Sequence, residues 1–306
     1  MKTTNIQTVK KNKIKLSKEN LAFDIVTYIV LGAFLVMVAY PLYFILIASI
    51  SDPYLVMTGE VLWFPKELTF SGYQMLFARS DIWQGYAYTI AYTGVGTLIN
   101  LTLTMAVAYP LSRSYFSGRN VLMFIFMFTM YFSGGLIPEF LLVKNLGLRD
   151  TFAVMVILGA ISVYNVIITR SFLMANIGNE LEEAAMIDGC NQLRFFVQMV
   201  IPLSKAILSV LVLYYGVAHW NDYMRGLIYL SDADKFPLQL VIRSILITAT
   251  SDVTDASTLE SMQEQIKLAE SIKYGVIVVS SLPLLIVYPF LQKYFEKGVM
   301  IGSVKG

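Results

Sequence analysis

One stretch of this 306-residue chain concentrates residue types at spacings that suggest a purpose. It reads Asn179-Glu-Leu-Glu-Glu-Ala-Ala-Met-Ile-Asp-Gly-Cys-Asn-Gln-Leu-Arg-Phe-Phe-Val-Gln-Met-Val-Ile-Pro202. Glu180, Glu182 and Glu183 sit where carboxylates favour a helix N-terminus, beside its unpaired N–H groups. Ala184 and Ala185 are strong helix formers whose small side chains let another surface approach closely. Gly189 permits a sharp bend at positive φ. Leu193, Phe195, Phe196, Val197 and Val200 then supply an apolar segment lying along a membrane, and Pro202 suits the first turn of the helix that follows. The chemistry on offer is mechanical: a small, acidic-tipped helix able to act as a docking knob. On residue types alone, an ordinary interfacial linker is the alternative. Covalent and metal chemistry find little support. The single Cys190 excludes an intrachain disulfide and any multi-cysteine metal site, and His219 is the only histidine.

The elements that must position this segment follow from composition. Of the residues, 57% are hydrophobic and only 14% charged, with a net charge of +2, and the mean hydropathy is +0.64. A soluble domain carries about a quarter charged residues, because its surface must face water. A collagen-like chain, a disordered tail, a disulfide scaffold and a nucleic-acid-binding domain are all disfavoured. A helix needs about 20 mostly apolar residues to cross about 30 Å of hydrocarbon. Six runs contain no Asp, Glu, Lys or Arg: Ile25 to Ile50, Ile82 to Ser112, Asn120 to Pro138, Thr151 to Thr169, Ala206 to Asn221 and Tyr274 to Gln292. They are continuously apolar, whereas barrel strands alternate over about ten residues. The expectation is an all-α polytopic membrane protein with six transmembrane helices.

Basic residues are held preferentially on the cytoplasmic side. With the N-terminus inside, the inner segments hold 14 Lys+Arg against 7 Asp+Glu and the outer segments 9 against 14, making the inside +7 and the outside −5. Both termini are therefore expected in the cytoplasm. The organisation reads as an N-terminal arm (1–24), a membrane domain (25–295) with an inner loop (170–202) and outer loops (51–81 and 223–271), and a C-terminal tail (296–306). Lys2, Lys10, Lys11, Lys13, Lys15 and Lys18 fix topology and touch anionic lipid. The first apolar run is far longer than the roughly 7 to 15 residues of a signal-peptide core, and no small-residue cleavage site follows it, so this helix is expected to stay. Pro53, Gly59, Pro65 and Gly72 predict an irregular outer loop with short helical turns at most. In the second outer loop, Ser257 and Glu260 are spaced as a capping box opening a polar helix. That loop either meets a partner outside the membrane or merely connects two helices.

The 179–202 segment resembles the signature of the membrane permeases of type I ATP-binding-cassette importers. That signature is Glu-Ala-Ala, three residues, Gly, nine residues, then apolar, any residue, apolar, Pro. Here it reads Glu183, Ala184, Ala185, Gly189, Met199, Ile201 and Pro202, with Met199 and Ile201 as conservative departures. The tail from Lys293 to Gly306 and Trp220-Asn-Asp-Tyr223 are similar to the second permease subunit of maltose-type carbohydrate importers. Ser133-Gly-Gly-Leu-Ile-Pro138 and Leu146-Gly-Leu148 look like the branch linked to complex, uronate-containing oligosaccharides.

The resemblance implies a permease in a bacterial plasma membrane, half of a heterodimeric pore with a sister permease. Two ATPase subunits lie on the cytoplasmic face and a solute-binding protein lies outside. Coupling to the ATPase falls to Glu182, Glu183, Ala184, Ala185, Asp188, Gly189 and Pro202, and Gly298 to Gly306 would lie between the ATPase subunits. The chain itself binds no cofactor and is not an enzyme. It has no Gly-x-x-x-x-Gly-Lys-Ser/Thr phosphate loop, so ATP and magnesium belong to the partner ATPase. Sugars need aromatic faces for their CH surfaces and amides or hydroxyls for their hydroxyls. Tyr131, Tyr164, Asn165, Tyr214, Tyr215, His219, Trp220 and Asn221 are the candidates along the pathway, each also readable as an interfacial belt or helix-end residue.

Three other classes compete. An ion-coupled secondary transporter predicts ionisable residues deep in the spans, and none of the six runs contains one. A membrane enzyme needs a nucleophile, base or metal cluster; Asp222, Asp232 and Asp234 lack such companions. A receptor or scaffold leaves the 179–202 segment unexplained. Within the importer class, a non-sugar solute is the alternative cargo.

Overall fold

The structure, a computed structural model, describes residues 18–252 and 270–289. α1 (Lys18–Ala48) leads into the short α2 (Pro53–Met57) and α3 (Ser71–Ala78), then the 33-residue α4 (Ser80–Ser112). α5 (Arg119–Tyr131) and α6 (Leu136–Asn145) form a pair bent by 110°. α7 (Phe152–Ile157), α8 (Val163–Asn176), α9 (Asn179–Ile187) and α10 (Gln192–Phe195) follow. A π-helical turn (Phe196–Val200) and α11 (Ile201–Leu203) lead to α12 (Lys205–Trp220) across a 78° bend. α13 (Met224–Tyr229), α14 (Leu238–Asp252) and α15 (Glu270–Pro289) complete the described chain.

The mast of this fold is α4, which packs against α3, α5, α7, α8, α12 and α14. Its buried positions Thr89, Tyr92, Gly96, Asn100, Thr104, Ala108 and Leu111 recur every three or four residues, one continuous stripe of the helix. Small and hydroxylated residues dominate the stripe because helices in lipid gain little from burying apolar surface and associate instead by close packing. Around its C-terminal end, Ala108, Leu111, Leu173, Ile177, Ala185 and Phe195 form one apolar cluster. Around its N-terminal end, Leu76, Ile82, Leu238, Val241, Ile272 and Val276 form another. By contrast, α1 buries none of its most apolar window. Its last turns meet the rest: the Tyr40 hydroxyl donates to the Leu62 carbonyl at 3.3 Å, Phe44 packs edge-on to Tyr274, and Ile47 and Ala48 meet Val56 and Val61.

The expected spans hold unevenly. Among the described residues, three helices are long and apolar enough to cross a membrane, or up to five if each bent pair is one span. This falls short of six uninterrupted helices. The run Asn120 to Pro138 leaves helix after Tyr131 and turns at Gly135, φ 86°. Pro138 then falls in the first turn of α6, where a missing N–H has no partner to lose. The run Thr151 to Thr169 is two helices, each with its own cap: Thr151 accepts from the Val154 N–H and Ser162 from the Asn165 N–H, both at 3.4 Å. Pro202 does not open the fifth long helix; it lies in α11, and α12 begins at Lys205. The loop 51–81 carries α2, α3 and the start of α4, with irregular backbone between its prolines and glycines. Lys2 to Lys15, the Ser257–Glu260 capping box and the tail from Lys293 to Gly306 lie outside the described residues.

Candidate functional site

At the end of the bundle beside Ser112, the 179–202 segment folds into the two short helices that its residues suggest. Glu180 and Glu182 occupy the first turn of α9, and the helix stops at Asp188. Gly189, at φ 80°, supplies the left-handed residue of a Schellman stop. The Gly189 N–H donates to Met186 at 3.0 Å and the Cys190 N–H to Ala185 at 2.9 Å. Asn191 then opens α10 by accepting from the Arg194 N–H at 2.8 Å. Asp-Gly-Cys-Asn is thus a stop, a turn and a start in four residues.

The two sides of α9 differ. Glu183, Ala184, Asp188 and Gly189 are exposed, and Ile187 is 87% exposed, an apolar knob at the tip. Ala185 faces inward, in the cluster with Leu173 and Phe195. Glu182 corrects the expectation of an acidic tip: it is buried, and it anchors the base of the helix. Its carboxylate accepts from the Tyr109 hydroxyl at 3.0 Å, the Tyr115 hydroxyl at 2.7 Å and the Arg113 guanidinium at 3.3 Å. Arg113 is fully buried and also donates to the Ile177 carbonyl at 3.2 Å and the Ser112 hydroxyl at 3.0 Å. Partial burial and the hydrogen bond to Glu182 raise the Tyr115 phenol above its ordinary pKa. Arg113, Tyr109 and Tyr115 are not among the residues that the sequence singles out; Arg113 enters there only in the count of basic residues.

A second feature lies midway along α4. A cleft of about 350 Å³ is lined by Asn100, Tyr164, Asn165, Tyr214, Tyr215 and His219, together with Asp222 and Arg225. The Asn100 amide donates to the Ala160 carbonyl at 2.6 Å, so its oxygen faces His219 Nε2 at 2.7 Å, and Nε2 must carry the proton. The imidazole lies against Gly96, where a Cβ would sit 2.5 Å from Nε2; only glycine leaves it room. The Tyr215 hydroxyl lies 2.7 Å from Thr104 Oγ1 and accepts from the Ser162 N–H at 3.2 Å. The Tyr164 and Tyr214 rings stand 6.3 Å apart at 39°. Arg225 pairs with Asp222 at 3.2 Å and donates to the Met155 carbonyl at 2.8 Å. Amides, phenols, an imidazole and a compensated charge pair suit a polyhydroxylated ligand, and the volume is at the low end of the roughly 300–1,000 Å³ of small-molecule sites.

The cleft therefore unites Tyr164, Asn165, Tyr214, Tyr215 and His219 from the sequence candidates and leaves out three. Tyr131 is 80% exposed at the end of α5. Trp220 is buried toward α15, donating to the Ser280 carbonyl at 3.1 Å. Asn221 turns back to the Val217 carbonyl at 3.0 Å and caps α12. Asn100 and Thr104 were missed, although an amide deep within a charge-free run is itself a signal for a polar contact inside a membrane.

Residues 99–301, about two thirds of the chain, match the family described as binding-protein-dependent transport system inner membrane components, and the chain belongs to it. It is thus an inner membrane permease component of an ATP-binding-cassette transport system. It is 38% identical over 290 residues to Protein LplC of Bacillus subtilis, covering 95% of this chain and 97% of that one. It is 38% identical over 288 residues to the polygalacturonan/rhamnogalacturonan transport system permease protein YtcP of the same organism, covering 94% and 100%. A solved bacterial ABC transporter involved in the import of the acidic polysaccharide alginate contains a chain 32% identical, with TM-score 0.80 over 92% of this chain and 99% of that one.

Proposed function

We propose that this chain passes uronate-containing oligosaccharides through its cleft, and that α9 docks on an ATPase subunit at the cytoplasmic face. The observation that carries the docking is the contrast within α9: an 87% exposed Ile187 at the tip of a helix whose base is held by the buried Glu182. An exposed apolar knob on a rigid base suits insertion into a partner's groove. Glu183, Ala184, Asp188 and Gly189 form its surround, while Ala185 and Pro202 shape the segment from within. A sister permease completes the pore, and a binding protein delivers cargo outside; the unburied α1 is consistent with a partner or lipid covering it. ATP and magnesium act in the ATPase subunits, where ATP-driven closure moves α9 as a body.

The cargo reading draws on the polygalacturonan/rhamnogalacturonan and alginate systems and on the amide, phenol and imidazole lining of the cleft. The test is ATPase stimulation and uptake by the reconstituted complex with its binding protein loaded with uronate-containing or neutral oligosaccharides. Stimulation by uronate-containing cargo alone is expected; equal stimulation by neutral sugars overturns the cargo class. For docking, Glu183→Lys and Gly189→Val are expected to insert normally yet uncouple hydrolysis from uptake. Unaltered uptake in both refutes the docking role.

A further inference from the structure

The geometry points to α4 as the rod that carries motion of α9 to the cleft, gripped by Glu182 at one end and by Asn100 and Thr104 at the other. This rests on reading α9 as the ATPase-docking helix. Two routes leave α9. The covalent one runs through α10, the π-helical turn and α11 into α12, and it is soft: Pro202 lacks the N–H of a regular ladder, and the chain bends by 78° before Lys205. Among the described residues, Ser204 Oγ at that bend has no hydrogen-bond partner; Arg113 Nη2 has none either, but that guanidinium is held through Nε and Nη1.

The second route is non-covalent and stiff. Three donors from two turns of chain, Tyr109, Arg113 and Tyr115, converge on one carboxylate of α9. They straddle Pro110, the one proline inside α4, and so brace the turn where its ladder is weakest. Arg170 on α8 adds a bond to the Leu111 carbonyl at 2.8 Å. From Asn100 to Tyr109 the helix contains neither Gly nor Pro. Arg113 and Asn100 are 13 positions apart, about 20 Å at 1.5 Å per residue. At the far end, Asn100 bonds His219 and Thr104 bonds Tyr215, both on α12. A shift of α4 along α12 therefore changes the hydrogen-bond partners that line the cleft.

The experiment uses the assembled complex in proteoliposomes and reads sugar moved per ATP hydrolysed, with co-purification of the ATPase subunits as a second readout. Glu182→Gln is expected to keep the ATPase subunits bound while the ratio falls at least about five-fold, the lower bound of ordinary site-to-site coupling. Adding Asn100→Ala to Glu182→Gln is expected to lower the ratio no further than the larger single effect, because both break one rod. Independent, multiplying effects, or an unchanged ratio in Glu182→Gln, overturn the proposal; so does loss of the ATPase subunits, which would make Glu182 a docking residue. If Glu182→Gln does not fold, Tyr115→Phe decides in its place: it removes one donor at a half-exposed position, and a preserved ratio refutes the rod. Ile187→Glu separates the two readings. If it leaves the ATPase bound, the docking role fails; if it releases the ATPase while Glu182→Gln leaves the ratio unchanged, only the rod fails.

Discussion

Two polar sites hang on the same helix, and they are built from opposite materials. At the Ser112 end, a full charge pair is sealed from solvent: Arg113 has 0% exposure, Glu182 has 4%, and two phenols share the carboxylate. Midway up, Asn100, Tyr215 and His219 line an open cleft and make neutral bonds, Tyr215 to the buried Thr104 behind it. Breaking a buried ion pair leaves a bare charge, which costs several kcal/mol, whereas a neutral bond is exchanged for another donor or acceptor at about 1 kcal/mol net. The first site is suited to holding one geometry through a transport cycle. The second is suited to trading partners with a hydroxylated cargo.

The largest expected effect breaks the sealed site. Arg113→Met strands Glu182 without its cation and is expected to lower stability by about 3–5 kcal/mol, read as a fall in thermal midpoint of the purified complex. Arg113→Met with Glu182→Met is expected to recover most of that loss, since an apolar pair of similar volume replaces the buried charges. Failure of the double variant to recover would mean that the phenols, rather than the charges, set the energy there.

Gly96→Ala probes the cleft by crowding it. A Cβ 2.5 Å from His219 Nε2 forces the imidazole to move, at about 1–3 kcal/mol of overpacking. Uptake is expected to fall further than the stability loss explains, because the Asn100–His219 bond is lost with the shift. Tyr215→Phe is milder. It leaves Thr104 and the Ser162 N–H without their shared hydroxyl, about 1–3 kcal/mol; the Thr104 hydroxyl can turn to a carbonyl of its own helix, so the measured loss is expected near the lower bound. The smallest effects belong to Asn221→Ala, which gives up one exposed cap bond at about 1 kcal/mol, and Tyr131→Phe, within about 0.5 kcal/mol, both outside the cleft and with uptake unchanged. A strong uptake defect in either would extend the cargo path beyond the cleft.

The α9 helix and its glycine stop were legible because each depends on neighbours within about six residues, whereas the cap at Asn191 came only with the structure. Carboxylates in a first turn, paired alanines and Asp-Gly-Cys-Asn write their own backbone. The direction each carboxylate takes was not legible. Glu182 and Glu183 are adjacent and chemically identical, yet helical rotation puts Glu182 on the face shared with Ala185 and turns Glu183 outward. The breaks at Gly135 and within 158–162 were also hidden, since hydropathy counts charges and these interruptions contain none.

By itself, the sequence determined that this is a helical membrane chain with a short acidic helix ended by a glycine at 179–189, because charge, hydropathy and turn chemistry are properties of short windows. Only the tertiary structure decided which polar residues act together. The Arg113–Glu182 bond closes 69 positions and the Asn100–His219 bond 119. Such pairings follow from how α4 packs against α8, α9 and α12, a choice made by small residues and shape rather than by any local pattern.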